Sequence, residues 1–478
     1  MKKVHLPLMI VVLLVVLTSH ALAGSAKIWE EKITIPTYQI EDPDPNPRFY
    51  NGRVTQGAQG RVYPFAMSDA LTGIKKNQSY QAVYLENDCI KLCVLPELGG
   101  RLYSAVDKTN GYNYFYKQQV IKPSLIGTLG AWVSGGAEWN FPHHHKATTM
   151  MRMDSLLQEN ADGSVTLWLA ETELRHRFRI TLAMTVHPDS NVLELLVNPY
   201  NPTPYVHSFL FFANPSVHVD PTYQVFFPPS VEWVTQHAKR EFLAWPMANG
   251  TYGDKDYENV NISWWKNLPK PVSFFACNED DNFFAGYDHG KDAGTAYVAN
   301  HHLTPGMKFF TFGSGPEGAA WDKMLTDEDG PYLELMAGAF SDNQPDYSWS
   351  QPFENKWVKQ HWFPIRDLDN LTYANLSGAL NLDIDKQNRV TVQVNTTSPQ
   401  PKARIILSVK GKQLMQKSAD IDPAHPFSVQ LQLSSAVKKT DLLLTVENAA
   451  GQSLMAYQPQ VKKGNPMPQA VMPPKRPQ

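Results

Sequence analysis

Apolar and polar positions along this chain exchange in short runs bounded by turn residues, with very little 3.6-residue periodicity. Ala82-Val83-Tyr84-Leu85 and Ile90-Lys91-Leu92-Cys93-Val94-Leu95 are two such runs, divided by Glu86-Asn87-Asp88 in the manner of a hairpin. Strands are likewise predicted over 165–170, 177–186 and 192–198, the last two flanking the turn residues His187 to Asn191. Further strands are predicted at 209–212, 217–219, 223–227, 273–277, 283–287 and 308–312. Ala319 to Leu325 is the best helical stretch, and it stops before Gly330-Pro331. The segment from Ala26 to Asn77, rich in Pro, Gly, Tyr and Asp, reads as repeated turns. Many strands with Gly/Pro-rich connections predict an all-β protein whose main unit, residues 24–370, is a large antiparallel sandwich.

Near Leu371 the texture changes. Aromatic residues thin out, and apolar runs at 389–395, 403–409, 427–433 and 442–446 alternate with polar turns. Residues 371–461 therefore predict a small Ig-like β-sandwich. The last residues, 462–478, are Pro-rich and predict a disordered tail. The other end has Lys2 and Lys3, an apolar run from Leu6 to Leu17, and Ala21-Leu22-Ala23, the pattern of a secretory signal peptide over residues 1–23. That run is shorter than the ~20 residues a spanning helix needs. The expectation is export to the periplasm or beyond after cleavage near Ala23, with no membrane span in the mature chain.

Composition narrows the partners. A net charge of −3 with 19% charged residues gives no electrostatic case for nucleic acid or an anionic membrane. The 12 Trp, 20 Tyr and 22 Phe supply flat faces of the kind on which sugar rings stack, although most must serve the core. The 3 cysteines do not make a disulfide framework. Cys89 and Cys93 lie four positions apart in one predicted strand, about 13 Å, beyond the roughly 7 Å that a bridge spans. Either has Cys277 as a conceivable partner, but buried free thiols are the expected state. No P-loop, dinucleotide fingerprint or nucleophile elbow is present, so no cofactor is expected.

Candidate chemistry concentrates in Gly135-Gly136-Ala137-Glu138-Trp139-Asn140-Phe141-Pro142-His143-His144-His145. On a strand Glu138 shares a face with Asn140, while Trp139 and Phe141 point the other way. The glycines permit close approach of a ligand or a second backbone. A carboxyl beside aromatic rings is expected to have a raised pKa, which suits a general acid. In an extended chain His143 and His145 share one face, with His144 between them. They suit sugar hydroxyls or a general base better than a metal, because neither helical spacing nor a cysteine accompanies them.

The second constellation is Tyr332-Leu333-Glu334-Leu335-Met336, where Glu334 is a lone charge in a strand that otherwise reads as buried. Gln344, Asp346 and Trp349 follow it in a polar, aromatic loop. Glu138 and Glu334 are the leading pair for glycosidic chemistry, which requires one acid and one base or nucleophile. His143 and His218 are further catalytic candidates. Arg101, Trp139, Asn140, His144, His145, Asn214, Gln344, Asp346 and Trp349 are candidates for holding substrate. For each the plain alternative is structural: a core His218 bonded to backbone, an Arg101 paired with Glu97, a packed Trp139.

Several separated motifs, in order, resemble the bacterial DUF5107 family. They are Glu86-Asn87, Leu95-Pro96-Glu97-Leu98-Gly99-Gly100-Arg101, Ile121-Lys122-Pro123, the Gly-Gly-Ala-Glu-Trp-Asn stretch, Glu334 to Gly338 and Gln344-Pro345-Asp346, and the likeness runs from about Ile33 to Pro364. The resemblance implies a galactose-mutarotase-like β-supersandwich with a sugar-binding cleft across one sheet. Relatives of that fold include aldose epimerases, polysaccharide lyases and parts of glycoside hydrolases. In the epimerases a His acid and a Glu base open the sugar ring, which would make Glu334 the Glu and His218 or one of His143 to His145 the His. Members of the family often continue into helical repeats, whereas this chain continues into a short β domain. Three readings follow: an exported glycoside hydrolase using Glu138 and Glu334, an aldose 1-epimerase, and a non-catalytic glycan-binding protein. In each the partner is a carbohydrate.

Overall fold

The computed structural model describes residues 24–45 and 62–470. The leader-like residues 1–23, part of the early turn segment and residues 471–478 of the tail lie outside the described residues. Two antiparallel sheets, one of twelve strands and one of eight, make the main unit. Alternation decides what each face does. In Tyr332–Ala339 the residues Leu333, Leu335 and Ala337 face the eight-stranded sheet, as do Ala137 and Trp139, Phe211, Ala213 and Val217, and Met307 and Phe309. They meet Leu167, Leu182, Leu195 and Trp362 from the opposite sheet in one continuous apolar core. The complementary set of each strand lies on the outer face of the twelve-stranded sheet, and that is where the polar residues gather.

Trp139 therefore belongs to the core and not to a stacking platform, which corrects its expected role in holding substrate. It is 1% exposed, and its indole N–H donates to the Gly100 carbonyl at 2.8 Å. Trp139→Ala is expected to destabilise the fold by about 3–5 kcal/mol, read by denaturant titration. A loss under about 1 kcal/mol would show that this ring does not support the sheet packing.

The central sheet runs through Arg101–Asp107, Ala137–Asn140, Phe211–His218, Tyr332–Ala339, Gly306–Thr311 and Val272–Cys277, each hydrogen-bonded to the next. Gly135 and Gly136, both at positive φ (82° and 59°), start the short Glu138 strand. A Cβ on Gly136 would lie 2.0 Å from the Leu102 carbonyl oxygen, and the Gly136 backbone bonds both Tyr116 and Ser216. Only glycine lets the chain wedge between its two neighbouring strands here.

Two expectations change. Residues read as turns contain the 14-residue strand Lys27–Ile40, paired along its length with Leu71–Glu86. It is an edge strand with Pro36 inside it and long exposed stretches, so it lacks the alternation that marks a half-buried strand. The helix begins earlier than expected, at Pro316, where a proline without an N–H fits the first turn.

Beyond Leu371, two four-stranded sheets enclose a separate core of Leu380, Leu382, Val392, Ile405, Leu407 and Leu444. This small sandwich packs on the eight-stranded sheet through Phe283, Tyr287, Phe363, Leu371 and Ala374. Part of the expected disordered tail is tied down. Trp233 donates to the Asn465 carbonyl at 2.9 Å, Lys462 to the Trp245 carbonyl at 2.9 Å, and Lys463 pairs with Asp280. The Gly464 and Asn465 backbone N–H groups donate to Glu232 at 3.1 and 3.3 Å, so the first unit holds residues that composition alone would leave loose. All three cysteines are free, with Cys93 buried and Cys89 and Cys277 half-buried. Cys89 precedes the strand Ile90–Leu95 instead of lying in it.

Candidate active site

Register assembles a polar row across the outer face of the central sheet. Glu138 lies opposite Asn214, Ser216 opposite Glu334, and Lys308 opposite Met336, while Arg101 precedes Leu102, which faces Ala137. Arg101, Glu138, Asn214, Glu334 and Lys308 thus project from five neighbouring strands to one side. All five are buried, so each must be paired or used.

Glu138 is held at one oxygen. Oε2 accepts from the Trp132 indole N–H at 3.0 Å and from His145 Nδ1 at 3.0 Å, while Oε1 is buried with no hydrogen-bond partner. Burial alone would raise its pKa, but His145, Arg101 and Trp132 together outweigh that and hold the carboxyl below its usual range. This is the opposite of the raised pKa expected for a carboxyl beside aromatic rings. A ring that brings an N–H aimed at the carboxylate stabilises the charge instead of penalising it.

Glu334 behaves the other way. Burial raises its pKa, the nearby Glu138 carboxylate adds to this, and His145, Lys308 and a hydrogen bond from Asn214 offset only part of it. Burial in turn pushes the Lys308 ammonium down to about 7, against the pull of Glu334. Lys308 donates to Gln344 Oε1 at 2.8 Å and to His237 Nε2 at 3.2 Å, and His237 Nδ1 bonds Ser273 Oγ at 2.8 Å. Burial and the Lys308 charge hold His237 neutral. Burial also keeps His144 neutral, its ring packed 3.7 Å from that of His145.

The three consecutive histidines separate. His145 turns to Glu138, whereas His143 turns towards Ser208 at 3.4 Å, His176 and Tyr347. The chain bends after Pro142, so the expected shared face of His143 and His145 does not form. Asn140 joins the polar face, its Oδ1 accepting from the Lys146 backbone at 3.1 Å and its Nδ2 buried without a partner. Arg101 does not pair with Glu97; it donates to the Gly135 carbonyl at 2.6 Å and to Thr149.

Other candidates fall outside the row. His218 packs 4.1 Å from the Tyr116 ring and lines a separate cavity with Tyr112 and Lys291; burial and Lys291 lower its pKa to about 4. The ring of Tyr116 also packs against Tyr332, and no hydrogen bond joins His218 to Glu138 or Glu334 among the described residues. Asp346 is paired with Lys239 at 3.0 Å, and Trp349 lies on a short strand beside Ser208. Among the described residues no group of three His, Cys, Asp or Glu could hold a metal ion.

Lys308, His237 and Trp132 join the site without having been candidates from the sequence, and Tyr332, part of the Glu334 stretch, adds a hydroxyl that is buried and unpartnered beside Glu334. For Lys308 a signal existed: like Glu334, it is a lone charge in an apolar strand. His237 carried none, because only the fold brings it to Lys308.

This architecture is all-β, a large two-sheet antiparallel sandwich followed by a small one. Residues 58–365 match the domain of unknown function DUF5107, and the chain belongs to that family. Residues 373–457 match the second domain of YphG-like proteins. A TPR-domain containing protein from Parabacteroides distasonis has the same fold at 20% identity and a TM-score of 0.62, covering 74% of this chain; the chain spans only 58% of that structure. Galactose mutarotase-like proteins from Clostridium acetobutylicum (11% identity, TM-score 0.40, 60% of this chain and 96% of that one) and Lactobacillus casei (13%, 0.38, 59% and 99%) are more distant. Among the described residues no helix is long and apolar enough to cross a membrane.

Proposed function

We propose that the protein is a carbohydrate-active enzyme that cleaves a glycosidic bond, with Glu334 as general acid and Glu138 as base or nucleophile. The observation that supports this reading is the divergence of two buried carboxyls on one polar face, the pKa of Glu138 lowered and that of Glu334 raised. Environments that push two carboxyl pKa values apart divide acid from base. Glu138 Oε1, the Tyr332 hydroxyl, Asn140 Nδ2 and Gln344 Nε2 are buried polar atoms that a sugar's hydroxyls would satisfy. The leader pattern of residues 1–23 supports a glycan met outside the cytoplasm.

Incubating the full chain with a panel of neutral and acidic glycans, with product analysis by chromatography, tests this reading. Release of a reducing end supports it, and binding without turnover of any glycan overturns it. The expected pH profile is a bell, because the enzyme needs Glu138 ionised and Glu334 protonated. Activity falls below the lowered pKa of Glu138 and above the raised pKa of Glu334. Lys308→Met removes a cation that favours the charged form of Glu334, so the alkaline limb should move up by about one pH unit. An unmoved limb would show that Lys308 does not act on the acid.

The epimerase reading has an observation of its own: neutral His144, with Nδ1 buried and unpartnered, packs on His145, which in turn bonds Glu138. Interconversion of the anomers of a free aldose, followed by polarimetry, would favour it over cleavage.

A further inference from the structure

The polar row does not end at Lys308. Glu334 is registered opposite Phe310, on the strand of Lys308, and Phe310 opposite Ser273, so one outer-face line continues onto one more strand. Ser273 lies about 10 Å from Glu334 at two strand spacings. At that end of the line is a cavity of about 380 Å³ whose walls include Phe310, Ser273 and His237. His237 joins the two regions physically: one ring nitrogen bonds Ser273, and the other bonds Lys308 beside Glu334. The far wall is the turn Tyr252-Gly253-Asp254-Lys255, with Lys270 and Glu317 at the rim. This size falls in the ordinary range of small-ligand sites.

The rim is charge-balanced. Lys255 and Lys270 carry two positive charges, Asp254 and Glu317 two negative ones, and Lys270 is paired with Asp254. Nothing in it selects an anionic sugar, while backbone and side-chain polar groups beside the Phe310 ring suit a hydroxyl-rich ring with one apolar face. We propose that this cavity is a second subsite for a neutral sugar unit, so that the substrate is an oligosaccharide of at least two units lying across the sheet from Glu138 towards Tyr252. The proposal rests on the reading of the polar row as a sugar site.

The test uses the full chain with neutral gluco-, galacto-, manno- and xylo-configured ligands of one to four units, and uronate-containing ligands of the same lengths. Titration calorimetry measures binding, and product analysis measures turnover. Two-unit neutral ligands are expected to bind at least tenfold more tightly than one-unit ligands. Glu317→Trp, which places a large ring at the rim on the exposed first turn of the helix, should erase that difference and leave one-unit binding unchanged. This result supports the subsite even if nothing is turned over, an outcome that would overturn the hydrolase reading alone. Equal affinity for one and two units in the wild-type chain overturns the subsite and leaves that reading standing. A preference for uronates, or no glycan binding at all, also overturns the proposal.

Discussion

Glu334→Gln is expected to lower kcat on a cleaved oligosaccharide by about 10²–10⁴-fold, the usual contribution of a positioned proton donor. The amide keeps the size and can still bond Asn214, so substrate binding should persist. Desolvation and the Glu138 charge raise the pKa of this buried carboxyl, which favours its proton-carrying form. Two further readouts identify the acid role. The alkaline limb of the pH profile should disappear, because the group that titrates there is gone. The loss should also shrink on an aryl glycoside with an acidic phenol, whose leaving oxygen needs little protonation. A variant retaining near-normal kcat on an unactivated oligosaccharide would sink the assignment.

Glu138→Gln is expected to cost at least as much, and the loss should persist on the activated aryl glycoside, because a good leaving group does not replace a missing base or nucleophile. The acid limb should vanish with it. Arg101 is 3% exposed, and its charge lies close enough to help keep Glu138 ionised. Neutralising Glu138 leaves that buried cation less compensated, so a lowered Tm is also expected. Retained binding of glycan, measured by calorimetry, separates lost chemistry from lost folding. If Glu138→Gln still cleaves at more than about a tenth of the wild-type rate, the pairing with Glu334 fails.

Of the site, the sequence made legible those residues that break a local pattern. Glu334 is a charge inside an apolar strand, and Glu138 stands in a dense polar stretch behind two glycines. Strand alternation already put Glu138 and Asn140 on one face and Trp139 on the other, and the structure follows that alternation, with Trp139 in the core. His143, His144 and His145 show where this legibility stops. Their order in the chain said nothing of the bend after Pro142, which sends neighbours to different partners. The sign of the Glu138 shift was likewise hidden, since it depends on where the Trp132 N–H, His145 and Arg101 point and not on which residues adjoin Glu138.

By itself, then, the amino-acid sequence determined that this is an all-β chain with a large sandwich, a smaller one after Leu371 and a family likeness carried by Gly-Gly-Ala-Glu-Trp-Asn and its companions. These properties rest on local periodicity and short motifs, which are readable one strand at a time. Only the tertiary structure decided that Lys308 and His237 join Glu334, that His218 packs on Tyr116 and lines a separate cavity, and that residues 462–465 are bound to the first unit. Each of those contacts joins residues that only sheet register or packing brings together. Register depends on how every strand of the sheet pairs, and no local window contains it.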